Sequence, residues 1–184
     1  AKYFKFLEFF NLHFFTNPYH LSFGNDNNYK DIFSILKKRN GIYLEVGALD
    51  GYFESPTYQL NILYGWKGIL VDANKELLKY AKFFRPNDEV IFSACSNFDN
   101  VKKNKTIKFL CLHHSGEIYY SDESIAPSAK IMKDKLKLES EIVPLSTLSE
   151  IISNSKILKN DFLDLIVIDV EGHELDVLKG IDFE

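Results

Sequence analysis

The chain has 184 residues, the size of one ordinary domain and long enough to bury a core. Hydrophobic residues at 46% and charged residues at 26% are globular values, which exclude wholesale disorder. The formal net charge of -4 gives no hint of a nucleic-acid partner, which usually demands a basic face.

At the N-terminus, KYFKFLEFFNLHFF places Phe6, Phe9, Phe10 and Phe14 at helical spacing with Lys5, Glu8 and Asn11 between them, predicting an amphipathic helix. Its polar face is not basic, so docking on this domain or a preceding one is expected rather than membrane attachment. TNPYHLSFGNDNNYK is a loop dense in Asn, Pro and Gly. DIFSILKKRN predicts a helix with Asp31 at its start, Ile32, Ile35 and Leu36 on one face, Lys37 to Arg39 at its end, and Gly41 as the stop.

GIYLEVGALDGY, residues 41–52, reads as a strand over 42–46 running into a turn with Gly47 and Gly51. A helix over 55–63 follows, with Ser55 as N-cap and Pro56 in its first turn. KGILVDA (67–73) is the second strand, KELLKYAKFF (75–84) a helix, and VIFSACS (90–96) the third strand. This β-α-β-α-β order predicts a parallel sheet with right-handed crossovers. KTIKFLCLHH and GEIYYSD then form a hairpin, followed by a polar stretch to residue 140. EIVPLS (141–146) is another strand, and TLSEIISNSKIL (147–158) a helix begun by Ser146 or Thr147. DLIVIDV (164–170) is almost wholly apolar and is expected to be buried on both faces. HELDVLKG closes the chain as a short helix with Leu175 and Leu178 inward and Gly180 as its cap. The fold class is α/β: a Rossmann-like, mostly parallel sheet with flanking helices and a β-hairpin insertion. Residues 1–184 read as one domain, with 1–40 a helical cap and 41–184 the core.

Cys95 and Cys111 lie in strand-like runs and cannot build a disulfide framework, so buried thiols in a reducing, cytoplasmic setting are expected. No apolar run reaches membrane-spanning length, and no signal peptide is visible. The chain starts without Met and stops at GIDFE, which gives the expectation of a domain cut from something longer, with its C-terminal strands incomplete.

Three strands end in an acid and then a turn: Glu45, Asp72 and Asp169. Each alone is explained as well by capping the next helix, but three together are not. Ligands of open parallel sheets bind at the carboxyl ends of strands, and an acid after the second strand stands where such sheets hold a ribose. Gly47 and Gly51 would let backbone approach a ligand. Glu45 and Asp50 beside the glycines would repel a phosphate, and the turn is G-x-x-x-G rather than G-x-G-x-x-G. A phosphate-free, ribose-bearing cation fits better than a dinucleotide: S-adenosylmethionine.

YLEVGALDGYFES, GWKGILVDANKEL and IVIDVEGHELDVLKG resemble the FkbM family of S-adenosylmethionine-dependent methyltransferases over roughly residues 31–183, the D-x-E-G-x-E and L-x-G of the last segment being the most specific. The resemblance implies a class I methyltransferase sheet and O-methylation of hydroxyls on sugars, glycans, or polyketide and related natural products. It implies cofactor contacts from Glu45, Gly47, Ala48, Gly51, Asp72 and Ala73, with Ser55, Ser96 and Asn97 as further candidates. It places Asp169, Glu171 and His173 on the substrate side. A saccharide or glycan acceptor is the implied partner, with a glycosyltransferase fused or acting alongside. The family continues past LKG and lacks the aromatic N-terminal segment.

A sugar hydroxyl must lose its proton during or after attack, so a base helps. Asp169 is the preferred base; Glu171 could equally brace the turn at Gly172, and His173 could simply begin the helix. His113 and His114 are adjacent on a strand, point to opposite faces, and read as surface residues rather than metal ligands. Tyr119 or Tyr120 could stack on a sugar or adenine, or pack in the hairpin. Two competing readings are a non-catalytic binding or scaffold module and, disfavoured by the turn spacing, a nicotinamide-dependent oxidoreductase.

Overall fold

The structure, a computed structural model, describes residues 28–112, 115–119, 131, 134–135, 140–159 and 161–183. The aromatic N-terminal segment, the His113–His114 pair and Tyr120 lie outside the described residues. Helix α1, Asn28–Leu36, begins before Asp31 and ends before the basic run. Lys37 takes a left-handed backbone with φ 47°, which stops the helix, and Lys38 turns to Asp164 with Nζ 2.7 and 2.8 Å from its carboxylate oxygens.

The central sheet is parallel throughout. β1 (Ile42–Val46) pairs with β2 (Lys67–Asp72) on one side and β8 (Leu165–Ile168) on the other, and β3 (Glu89–Phe92) lies beyond β2. Alternation along β1 and β2 serves two apolar layers. Tyr43 and Leu70 pack with Leu60, Leu78 and Ala81 under α2 (Pro56–Tyr64) and α3 (Lys75–Phe84). Leu44, Val46, Ile69 and Val71 face Leu148, Ile151 and Val177 on the other side. β8 corrects one expectation: all four of its residues are half-buried, because among the described residues it is the last strand on that side of the sheet. Its apolar composition reflects two packed faces, Leu165 meeting one apolar layer and Ile166 and Ile168 the other.

The expected third strand is two strands. Ser93 separates β3 from β4 (Ala94–Cys95), which leaves the first sheet for a second one. Its main-chain N–H still donates to Asp72 O at 3.1 Å, while its hydroxyl donates to Pro144 O at 3.2 Å, so Ser93 joins the sheets. β5 (Thr106–Leu112), β6 (Ser115–Tyr119) and β7 (Glu141–Ser146) form the antiparallel part. A helix not anticipated from sequence, α4 (Phe98–Lys103), intervenes, and Asn97 caps it by accepting from the Asn100 N–H. Thr147, rather than Ser146, caps α5 (Leu148–Asn154) in a reciprocal box with Glu150.

The last helix, α6 (Glu174–Leu178), presents a different face from the one expected. Leu175 and Leu178 are 63% and 44% exposed, whereas Val177 is fully buried. The C-cap is Lys179, with Gly180 after it. Cys95 is a buried free thiol, and burial pushes its pKa up to about 12.

Candidate functional site

The parallel register decides what meets at the strand tips. Val46 lies opposite Val71 on one side and Ile168 on the other, so the next residues, Asp72, Gly47 and Asp169, stand in one row. Gly47 N–H donates to Val71 O and Asp169 N–H to Val46 O, both at 2.9 Å. Asp72 and Asp169 are thus two strand spacings apart, about 9–10 Å between backbones. Asp72 is buried, and Asp169 is exposed. The Asp72 carboxylate accepts the Leu49 N–H at 2.8 Å and the Asn74 N–H at 2.7 Å, tying the glycine turn to the tip of β2 beside Ala73. Burial raises its pKa, opposed by these main-chain donors.

Gly47 is glycine for a reason internal to the protein. Its φ is 85°, and a Cβ there would fall 1.8 Å from Asp169 O. Gly51, at φ 70°, lies against Leu70 and Ala81, so the turn descends between α2 and α3. Ala48 belongs to the core beneath. Asp50 closes the turn locally, accepting the N–H groups of Tyr52 and Phe53 at 2.9 and 2.7 Å. Leu49 and Glu54 are held in left-handed conformations here; such strain is concentrated at ligand clamps.

Glu45 sits two residues down the strand and is 3% exposed. One carboxylate oxygen accepts from Ser55 Oγ at 2.9 Å and from the Thr57 hydroxyl. Ser55 occupies the N-cap position of α2, but its side chain serves Glu45 and makes no cap bond. Burial raises the Glu45 pKa, with the Arg85 charge and the two hydroxyls opposing.

After β8, Glu171 (φ 54°) and Gly172 (φ 99°) form a left-handed turn. Glu174, not Glu171, braces it: its carboxylate accepts the N–H of Gly172 at 3.0 Å and of Val170 at 3.2 Å. The Gly172 N–H, with the other main-chain donors, holds the Glu174 pKa below the ordinary range. His173 begins α6 without a side-chain cap.

The family profile described as methyltransferase FkbM domain matches residues 45–184, a span that starts at Glu45 and takes in every acid of the strand tips. The chain belongs to the FkbM methyltransferase family. No curated protein and no solved structure matches it.

Within the FkbM domain, Gly47, Ala48, Asp72, Ala73 and Asp169 are brought together at the tips, with Glu171 and His173 on the turn that follows. Glu45 and Ser55 form a buried pair beneath. Ser96 and Asn97 follow β4 and brace α4 and α6: Asn97 donates to Asp176 of α6 at 2.9 Å, and the Ser96 hydroxyl accepts from Asn100 at 3.0 Å. Sequence reasoning missed Thr57, Arg85 and Asp88. One signal was present: Arg85 is one of two arginines among 22 Lys and Arg residues, and Arg is the cation suited to buried forked pairing. Among the described residues no group of three or more His, Cys, Asp or Glu could hold a metal ion, and no helix is long and apolar enough to cross a membrane.

Proposed function

We propose that this methyltransferase uses S-adenosylmethionine to methylate a hydroxyl of a sugar or glycan. The observation that carries the reading is the row Asp72–Gly47–Asp169 across three adjacent parallel strands. The donor set fits the ligand. A carboxylate has roughly four acceptor sites, so Asp72 keeps capacity for ribose hydroxyls beyond the main-chain N–H groups it holds. Acids on either side of the turn suit a cation and disfavour a phosphate.

When bound, S-adenosylmethionine supplies a methyl group on a sulfonium, open to attack by an oxygen nucleophile. The chain supplies the rest. Asp72 orients the ribose, Gly47 and Ala48 offer main chain beside it, and Glu45 with Ser55 fixes the turn from below. Asp169, exposed at the tip of β8, accepts the proton of the acceptor hydroxyl. Glu171 and His173 lie two and four residues further along and shape the acceptor side. Orientation of the two reactants provides most of the rate, and the base contributes about 10²–10⁴-fold.

Calorimetric titration with S-adenosylmethionine and S-adenosylhomocysteine tests the donor. Both should bind the wild-type domain. Asp72→Ala removes two charge-assisted hydrogen bonds and should weaken binding about a hundredfold. Absence of binding by the folded wild type would overturn the donor assignment. A radiolabelled methyl-transfer screen over mono- and oligosaccharides tests the acceptor class, and labelling only of non-sugar hydroxyls would redirect it.

A further inference from the structure

Beneath the strand tips lies a cation for which the proposed chemistry has no direct use. Arg85 ends α3 and is 1% exposed. Its Nε donates to Asp88 Oδ2 at 2.9 Å, an ion pair whose two side chains are wholly buried. An arginine kept only to neutralise Asp88 would need nothing more. Instead Nη1 donates to Gly51 O at 3.0 Å, and Nη2 donates to Thr57 Oγ1 at 2.7 Å and to Tyr43 OH at 2.6 Å. Thr57 in turn donates its own hydroxyl hydrogen bond to Glu45. The guanidinium also lies 5.1 Å from the Tyr43 ring centroid and 5.5 Å from that of Tyr58. Tyr58 in turn meets Tyr52, the residue after the glycine turn, edge to face at 4.9 Å.

One planar fork therefore touches the turn at its far end and Glu45 through a single hydroxyl. We propose that Arg85 is a positioning residue for the methyl-donor site, fixing the Gly47–Gly51 turn from beneath and holding Glu45 in place through Thr57. The inference rests on the methyl-donor reading of the strand tips. The groups acting on Glu45 are Ser55 and Thr57 at the start of α2, Arg85 at the end of α3, and Asp88 in the turn that follows. Of these, Arg85 is the cation. Burial works to lower the Arg85 pKa, but Tyr43, Asp88 and Glu45 hold it above the ordinary value, so the charge persists.

A lysine carries the charge but not the fork. The test is titration of the full chain with S-adenosylmethionine from pH 5.5 to 8, beside thermal unfolding and amide exchange of residues 51–53. Arg85→Lys is expected to fold, to exchange faster at 51–53, and to bind the donor about tenfold more weakly at every pH. In Arg85→Met burial pushes Glu45 up unopposed by the cation, so the loss of affinity on the acid side should set in at higher pH than in wild type or Arg85→Lys. Thr57→Val removes one Nη2 contact of Arg85 together with the link to Glu45 but leaves Nη1 on Gly51 O, so it should weaken binding while exchange at 51–53 stays unchanged. It carries the test if Arg85→Met does not fold. Wild-type donor affinity in both Arg85→Lys and Thr57→Val would overturn the assignment and leave the donor reading intact. Absence of donor binding by wild type would overturn the donor reading and this inference with it.

Discussion

Gly47→Ala is expected to destabilise the protein severely, whereas Gly172→Ala, a change of the same kind, should be mild. Both glycines adopt a positive φ, 85° and 99°, and each alanine therefore meets the left-handed strain of about 1–2 kcal/mol. They differ in what surrounds them. Nothing lies within 4 Å of a Cβ at Gly172, but at Gly47 that Cβ falls 1.8 Å from the carbonyl oxygen of Asp169 and 2.9 Å from its carbon. The obstruction is main chain and cannot rotate aside. Asp169 is moreover pinned by its own N–H to Val46 O at 2.9 Å, so relief requires β8 to part from β1. A domain of this size holds about 5–15 kcal/mol in total. The clash with the lost pairing should exceed about 4 kcal/mol, which corresponds to roughly 8–16 °C in Tm. Thermal unfolding of the two variants side by side checks this. Equal, small shifts would show that β8 is not held against β1 as described.

The same glycine shows where sequence reading stops. Its place in a turn after a strand was legible, because an apolar run ending in acid and glycine is a local pattern. Its reason was not, since the Asp169 carbonyl lies 122 positions further along the chain. β1, β2, α3 and β7 were equally legible, each being a short periodic or apolar run bounded by turn residues. The face of α6 was not: a five-residue helix carries too little periodicity to choose Val177 over Leu175 and Leu178. Nor was the break at Ser93, where one small polar residue inside an apolar run directs the chain from one sheet to the other. The fork of Arg85 joins Tyr43, Gly51, Thr57 and Asp88, which share no local pattern at all.

The acids at the tips also divide into two kinds that look alike in sequence. Glu45 is enclosed, with one oxygen taken up by two hydroxyls, and Asp72 caps main chain on both of its oxygens. Each of these has structural work that a substitution would disturb along with any ligand contact. Asp169 differs. Its structural role in the sheet is carried by its main chain, through the N–H to Val46 and the carbonyl against Gly47, and its side chain is exposed.

That separation makes Asp169→Asn the sharpest chemical test of the site. The amide matches the carboxylate in size and leaves both main-chain contacts in place, so Tm should stay within a degree or two of wild type. Donor affinity should fall only modestly, because Asp72 and the turn are untouched. What is lost is the proton acceptor, and turnover on the best saccharide from the screen should drop about 10²–10⁴-fold. Glu171→Gln and His173→Ala, made in parallel, complete the comparison. If one of them abolishes turnover while Asp169→Asn retains near-normal rates, the base lies on the left-handed turn instead. The proton would then leave the acceptor from the α6 side of the row, and Asp169 would have no part in the chemistry.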